Sequence, residues 1–207
     1  MTYLYLIRHA RSTWNAEGRM QGQADPPLDA LGHRQAQALA EGLKTETIHA
    51  IYSSPLARAR DTAEAIATSQ GVSVIYDERL TERHLGKWTG LTGSEADEQY
   101  PELRAQTGRE GWRVAGPPEG ENLAQLTARA TAAFAEILAN HPEARVVVVS
   151  HGGTLNAYLS HLMGMPLGTP THFVLENAAL ARFRVENGHV FVLGFGDDHH
   201  LQALRNL

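Results

Sequence analysis

The 207-residue chain contains no cysteine. This excludes a disulfide framework and every mechanism that needs a thiolate, cysteine-nucleophile phosphatases included. Positive charge is not in surplus either. The formal net charge is −5 and the pI is near 6.1, so the basic face of a nucleic-acid binder is not expected and any attraction for anions has to be local. No apolar run reaches membrane-spanning length, and the amino end lacks the charged region, apolar core and cleavage site of a secretory signal. A soluble, cytoplasmic protein with no membrane partner is expected. No Gly-x-x-x-x-Gly-Lys loop is present, which sets a P-loop kinase aside, and no His-Glu-x-x-His helix offers a metal site. The densest group of metal-ligand residue types, Asp197-Asp198-His199-His200, reads as a polar tail. No metal and no cofactor is predicted, and neither an internal repeat nor a low-complexity tract is visible.

What is present organises well. The length fits one α/β domain over 1–207. Thr2 to Arg8, Ile48 to Ser53 and Val72 to Tyr76 read as strands from their β-prone residues. Arg145 to Ser150 holds four consecutive valines, the pattern of a strand buried on both faces of a parallel sheet. Two or three further strands are expected over His172 to Glu176, Ala178 to Val185 and Gly188 to Phe195. A helical stripe of Leu31, Ala38, Leu39 and Leu43 follows Asp29, a suitable N-cap, and Leu123 to Leu138 keeps helical period until Asn140-His141-Pro142. Ser54-Pro55 predicts a helix start with proline at the first helical position and Arg58 in the first turn. Asp25-Pro26-Pro27-Leu28 is a stiff turn. The stretch of about 85–118 is long, glycine-rich and weakly periodic, as lids and binding loops are. These elements predict a three-layer α/β sandwich, its central sheet mixed and mainly parallel and flanked by helices.

Chemistry concentrates at Leu4-Tyr5-Leu6-Ile7-Arg8-His9-Ala10-Arg11-Ser12, where an apolar strand delivers an imidazole and a guanidinium to the carboxyl edge of the sheet. Open α/β sheets bind their ligands at that edge. A histidine beside a permanent cation can attack phosphorus while the arginine neutralises the phosphoryl oxygens. Four more stations follow: Ser54-Pro55-Leu56-Ala57-Arg58-Ala59-Arg60-Asp61-Thr62-Ala63; Leu80-Thr81-Glu82-Arg83-His84-Leu85-Gly86-Lys87-Trp88-Thr89-Gly90; Gly120-Glu121-Asn122; and Val149-Ser150-His151-Gly152-Gly153.

In this order the five stations resemble the histidine phosphatase superfamily, the phosphoglycerate-mutase-like proteins, over nearly the whole chain. The resemblance implies that fold and a small phosphorylated substrate. His9 is the candidate nucleophile; it must be neutral to attack, which adjacent arginines favour, and a hydrogen bond from its other ring nitrogen to backbone would fix the tautomer. Arg8 and Arg58 are candidates to clamp the phosphoryl group, Arg58 being selected by the family motif, with Arg60 expected on the surface. His151 matches the family histidine that binds phosphate opposite the nucleophile, and a cationic state would suit it. Gly152 and Gly153 would let backbone N–H groups approach an anion at a helix start. Glu82 is the candidate proton donor to the leaving oxygen, its pKa raised by the substrate's charge, with Glu78 as its rival. Asn15, Gln21 and Gly22 would complete the substrate contacts by the same resemblance.

The chain departs from the family at three points. Ala10 stands where glycine is usual, a small change only if its φ is negative. Arg11 replaces a glutamate and would make the approach to the pocket more cationic, and Thr89 replaces a frequent acidic residue. The implied activity is a metal-independent phosphomonoesterase working through a phosphohistidine. A phosphoglycerate mutase is the alternative, disfavoured because the segment Leu91 to Pro118 is short and its Arg104, Arg109 and Arg113 are dispersed. A non-catalytic phosphate-binding protein and a metal-dependent hydrolase are the remaining classes. The metabolite and the oligomeric state, a homo-oligomer included, stay open.

Overall fold

A computed structural model describes residues 1–102, 114–169 and 172–205. Its six-stranded sheet has the order β3-β2-β4-β1-β5-β6, built from β1 (Thr2–Arg8), β2 (Ala50–Ser53), β3 (Val74–Tyr76), β4 (Arg145–Ser150), β5 (Leu180–Glu186) and β6 (His189–Asp197). The first four positions run parallel, and β5 and β6 join beside β1 as antiparallel strands. Val146 to Val149 in β4, and Leu4, Leu6 and Ile7 in β1, are wholly buried. Both faces of the sheet are covered. On one, Ile7, Ile51, Val147 and Val149 meet α2 (Ala30–Gly42) and α3 (Ala57–Gln70), with Leu201 from the carboxyl-terminal turn. On the other, Leu4, Leu6, Val146 and Val148 meet the long helix Leu123–Asn140 and the helix Gly152–Leu162. Short helices lie at Thr13–Ala16 (α1) and Gly93–Gln99 (α4), so the last two become α5 and α6. Phe134 of α5 stacks on Tyr158 of α6 at 3.6 Å between ring centroids. This is the three-layer α/β sandwich that the periodicities predict.

Register places the chemistry. Ile7 lies opposite Val149 and Arg8 opposite Ser150, and Ser53 of β2 also faces Val149. Three strands therefore end level, releasing His9, Ser54 and His151 at one edge. The His9 N–H donates to the Ser150 carbonyl at 2.9 Å, and the Ser54 N–H to the Val149 carbonyl at 3.1 Å.

Local chemistry explains the helix boundaries. Asp29 caps α2, accepting from the Gly32 N–H at 2.7 Å. The helix expected from Ser54-Pro55 begins instead at Ala57, after a cap position, Leu56, that has no side-chain bond. The Asp25 carboxylate, from the Pro-Pro turn, takes the Ala57 N–H at 2.6 Å and substitutes for a cap. The strand expected over His172 to Glu176 is absent among its residues; the Phe173 N–H is held by Asn156 Oδ1 at 2.7 Å and the Leu175 carbonyl by Arg8. Of the expected insertion, Gly86–Trp88 forms a 3-10 turn and α4 is described, whereas Arg104, Arg109 and Arg113 lie outside the described residues.

Candidate active site

At this edge a cavity of about 660 Å³ is lined by Arg8, His9, Gln21, Gly22, Arg58, Glu82 and Gly152, among others. The His9 ring packs against that of His151, with centroids 5.1 Å apart. His9 is 3 % exposed. Its Nδ1 lies 2.7 Å from the Ala10 carbonyl oxygen, a pure acceptor, so Nδ1 carries the proton and Nε2 keeps a lone pair. Burial holds the His9 pKa well below 6.5, and the Arg58 and Arg8 charges push in the same direction against the Ala10 bond. The expected neutral imidazole and fixed tautomer are both in place.

His151 is wholly buried, and its pKa is likewise held well below 6.5 by burial, then by Arg58 and by His9. The cationic state expected for it is therefore not that of the free pocket; both histidines are neutral there. His151 Nε2 lies 2.8 Å from Ser54 Oγ. Ser54 Oγ also accepts the Leu56 N–H at 3.3 Å; with its own proton donated to Nε2, His151 Nδ1 carries the ring proton. That Nδ1 has no partner among the described residues.

The two arginines are held by carbonyls. Arg8 Nη1 donates to Leu175 at 2.8 Å; Arg58, wholly buried, donates to Ala24 at 2.7 Å and to Gly22 at 2.8 Å. Burial lowers the Arg8 pKa and brings that of Arg58 to about 10, partly offset in both cases by Glu82, so each remains a cation at neutral pH. Each Nε is buried without a partner among the described residues. The Nε groups of these two lining residues thus lack an acceptor among the described residues, which marks a place for an anion.

Glu82 sits where the helix-start anion was expected. Its oxygens accept the N–H groups of Gly153 at 3.0 Å, Thr154 at 3.2 Å and Arg83 at 2.7 Å. The anion at the start of α6 is thus the protein's own carboxylate, and Gly153 is what admits it: a Cβ there would lie 2.4 Å from Glu82 Oε1. Glu78, the rival acid, is exposed and lines a separate cleft with Asp77, Arg79 and Glu136.

Other expected contacts have internal work. Asn15 does not line the cavity; it closes the capping box of α1 with Ser12 and accepts from Asn177 at 3.3 Å. Gln21 Oε1 accepts from Ser12 Oγ at 2.7 Å. Gly22 has φ +52°, and a Cβ would press on Leu85 and the Arg83 carbonyl, so its part is to bring a carbonyl to Arg58. Arg11 does not make the approach more cationic: it turns away to Asp29 at 2.7 Å. Ala10 is buried in the core and is not among the residues with positive φ, which is why it can replace glycine. Arg60 pairs with Asp61 on the surface, as expected. The Asp197-to-His200 cluster is a structural junction, Asp197 pairing with Arg182 at 2.6 Å and His200 donating to the Ala178 carbonyl.

Sequence reasoning missed four supporting residues. Thr62 Oγ1 accepts the Ala10 N–H at 3.0 Å. Asn177 Nδ2 donates to the His9 carbonyl at 3.0 Å. Arg129 bonds the carbonyls of Arg79, Thr81 and Glu82 and pairs with Glu121 at 2.7 Å, fixing the Glu82 loop. Ser54 bonds His151. Ser54 and Thr62 stood inside motifs already singled out, but Asn177 and Arg129 carried no signal.

Comparison with known proteins identifies the family. The family model described as histidine phosphatase superfamily (branch 1) matches residues 4–198. A protein of Yersinia enterocolitica named probable phosphoglycerate mutase GpmB is 33% identical over 97% of this chain and 95% of its own length. Phosphoserine phosphatase 1 of Hydrogenobacter thermophilus is 36% identical over 97% of this chain and 95% of its own. The solved structure of YhfR from Bacillus stearothermophilus superposes with a TM-score of 0.88 at 31% identity, covering 98% of this chain and 100% of that one.

Proposed function

Because the chain belongs to branch 1 of the histidine phosphatase superfamily, we propose that it hydrolyses small phosphomonoesters through a phosphohistidine on His9, without a metal ion. The observation that carries this reading is the state of His9: a neutral imidazole whose Nδ1–H is fixed on Ala10, with Nε2 unprotonated between two arginines. Glu82 takes up a proton from solvent; in the first step Nε2 then attacks phosphorus, the N–P bond forms, the ester P–O bond breaks, and Glu82 gives that proton to the departing oxygen. Nδ1–H stays on the Ala10 carbonyl, which stabilises the positive charge that develops on the ring. Arg8 and Arg58, with His151 behind, neutralise the phosphoryl oxygens, the work a metal ion performs elsewhere. In the second step water attacks phosphorus, its proton passes to Glu82, and the N–P bond breaks to restore neutral His9.

The named relatives divide between a mutase and phosphatases. Hydrolysis is the reading we favour, because a mutase has to retain a three-carbon acid while its phosphate is exchanged. Among the described residues few cations are left for that carboxylate: Arg19 at the rim is already paired with Glu17 and Glu95. The test is turnover of p-nitrophenyl phosphate with and without chelator, beside 3-phosphoglycerate supplied with a bisphosphoglycerate primer. Chelator-insensitive release of phosphate is expected, lost in His9→Ala, with acid-labile label on His9 of the wild type. Full activity in His9→Ala sinks the covalent account, loss in chelator with recovery on a divalent ion turns the case to a metal hydrolase, and primer-dependent isomerisation faster than hydrolysis turns it to a mutase.

A further inference from the structure

The cavity is divided by charge. Its charged lining residues among those described, Arg8, Arg19, Arg58, Glu82 and Arg83, all come from the first 83 positions. The wall supplied by residues 123–169 and by His172 contains no lysine, arginine, aspartate or glutamate among the described residues. That wall is long. On α6, Gly153 touches Glu82 at the phosphate end, and Asn156 and Ser160 follow at helical spacing on the same face, carrying the lining about 10 Å away from the chemistry. Leu123 and Leu126 of α5 and Met165 beyond α6 supply apolar surface along it, and His161 adds a further polar group.

We propose that this wall is the leaving-group subsite and that it selects an uncharged alcohol of nucleoside dimensions, one with a planar apolar ring, over a short carboxylated one. The inference rests on the phosphomonoesterase reading and names its substrate class. A three-carbon acid reaching from Glu82 would leave the far part of the wall uncovered and would set its carboxylate against leucine. The two rim cations among the described residues are already engaged: Arg19 donates to Gly90 at 2.7 Å and pairs with Glu95 at 3.0 Å, and buried Arg83 donates to the Glu121 carbonyl at 2.7 Å. A ring between Leu123, Leu126 and Met165 is removed from water, while sugar-like hydroxyls find Ser160 and the amide of Asn156, whose oxygen is held by the Phe173 N–H.

Binding to full-length His9→Ala, measured by calorimetry, tests this without turnover. Thymidine 5′-phosphate, glycerol 3-phosphate and 3-phosphoglycerate all carry a phosphate on an alkyl oxygen and differ in the group beyond it. Thymidine 5′-phosphate is expected to bind at least about tenfold more tightly than 3-phosphoglycerate, the yield of burying one ring. Adding Ser160→Trp should raise the Kd for the nucleotide by a larger factor than that for glycerol 3-phosphate. Equal or tighter binding of 3-phosphoglycerate overturns the subsite, as do equal factors in a folded Ser160→Trp variant; should that variant not fold, the order of Kd values in the parent decides. Wild-type turnover of p-nitrophenyl phosphate reports separately on the phosphomonoesterase reading, which can fail while the binding order stands.

Discussion

The contact between Gly153 and Glu82 allows the proton-donor role to be tested without removing the carboxyl group. In Gly153→Ala the new Cβ would fall 2.4 Å from Glu82 Oε1 and 3.2 Å from Cδ. The backbone of α6 is fixed by its own ladder, so the carboxylate has to retreat by about 1 Å to regain ordinary contact. That movement breaks the bonds from the Gly153 and Thr154 N–H groups, now 3.0 and 3.2 Å, and leaves the one from Arg83. The folding cost is small: loss of two bonds to a half-buried carboxylate is offset by access to water and by the better helix propensity of alanine, for a net of about 1–2 kcal/mol. Catalysis is more sensitive, since a displacement of this size costs about 100-fold in a step that needs the acid in place. With glycerol 3-phosphate, whose alkoxide leaves poorly, kcat should fall by that factor. With p-nitrophenyl phosphate, whose phenolate leaves unaided, it should fall far less. Equal losses on the two substrates in Gly153→Ala, or an unchanged alkyl rate, would refute the assignment of Glu82 as the acid.

Three further outcomes follow from the same geometry. Both histidines have folded-state pKa values below 6.5, so their contribution to stability is complete above pH 6.5 and is lost as pH falls, by up to about 1.4 kcal/mol per unit and per histidine; denaturant titrations between pH 7 and 5 should show a shallower fall in His151→Asn, and an unchanged slope refutes the buried neutral state. Ser54→Ala should lower kcat more than it raises KM by freeing the His151 tautomer, with Ser54→Thr restoring it, and nitrogen NMR of His151 should report the tautomer change; an unmoved spectrum disproves the link. Vanadate should inhibit and raise the Tm, by about 2.7 kcal/mol of stabilisation at 100 times its Kd, and Arg58→Ala should abolish both effects; inhibition without stabilisation places the ion elsewhere.

Legibility in the sequence followed the number of roles a residue carries. β1 and β4 could be read directly because burial on both faces leaves an uninterrupted apolar run, and Asp29 because the N–H it caps, that of Gly32, lies three positions on. The main site residues stood in motifs, and His9, Arg8, Arg58, Glu82 and Gly152 do gather at one cavity. Readings failed where a side chain serves a distant partner. Ser54 looks like the opening of a helix, yet its hydroxyl is spent on His151, 97 positions away, and the helix starts later with a cap borrowed from Asp25. Gly152-Gly153 looks like an anion site, yet the anion is Glu82, 71 positions upstream of Gly153. His151 looks cationic beside a phosphate, but no local pattern reveals that its pocket is already positive and dry. The segment from His172 has strand-like composition, but its backbone groups are claimed by Asn156 and Arg8, so no ladder can form.

One arrangement of charge accounts for both halves of the proposed chemistry. Arg8 and Arg58 take carbonyl oxygens as partners, those of Leu175, Ala24 and Gly22, where a structural arginine would be expected to take a carboxylate. A carbonyl orients a guanidinium without cancelling its charge, and Glu82 is the single carboxylate among the described lining residues. The positive field therefore survives inside a protein whose net charge is −5. That field attracts a phosphoryl dianion, and it adds to the larger effect of burial in keeping protons off His9 and His151. Replacing the carbonyl partners with carboxylates would weaken the anion site and raise the pKa of the nucleophile together. Burial is the main reason the nucleophile stays unprotonated, and the two buried cations that hold the phosphate add to it, so changing either cation moves phosphate affinity and nucleophilicity together.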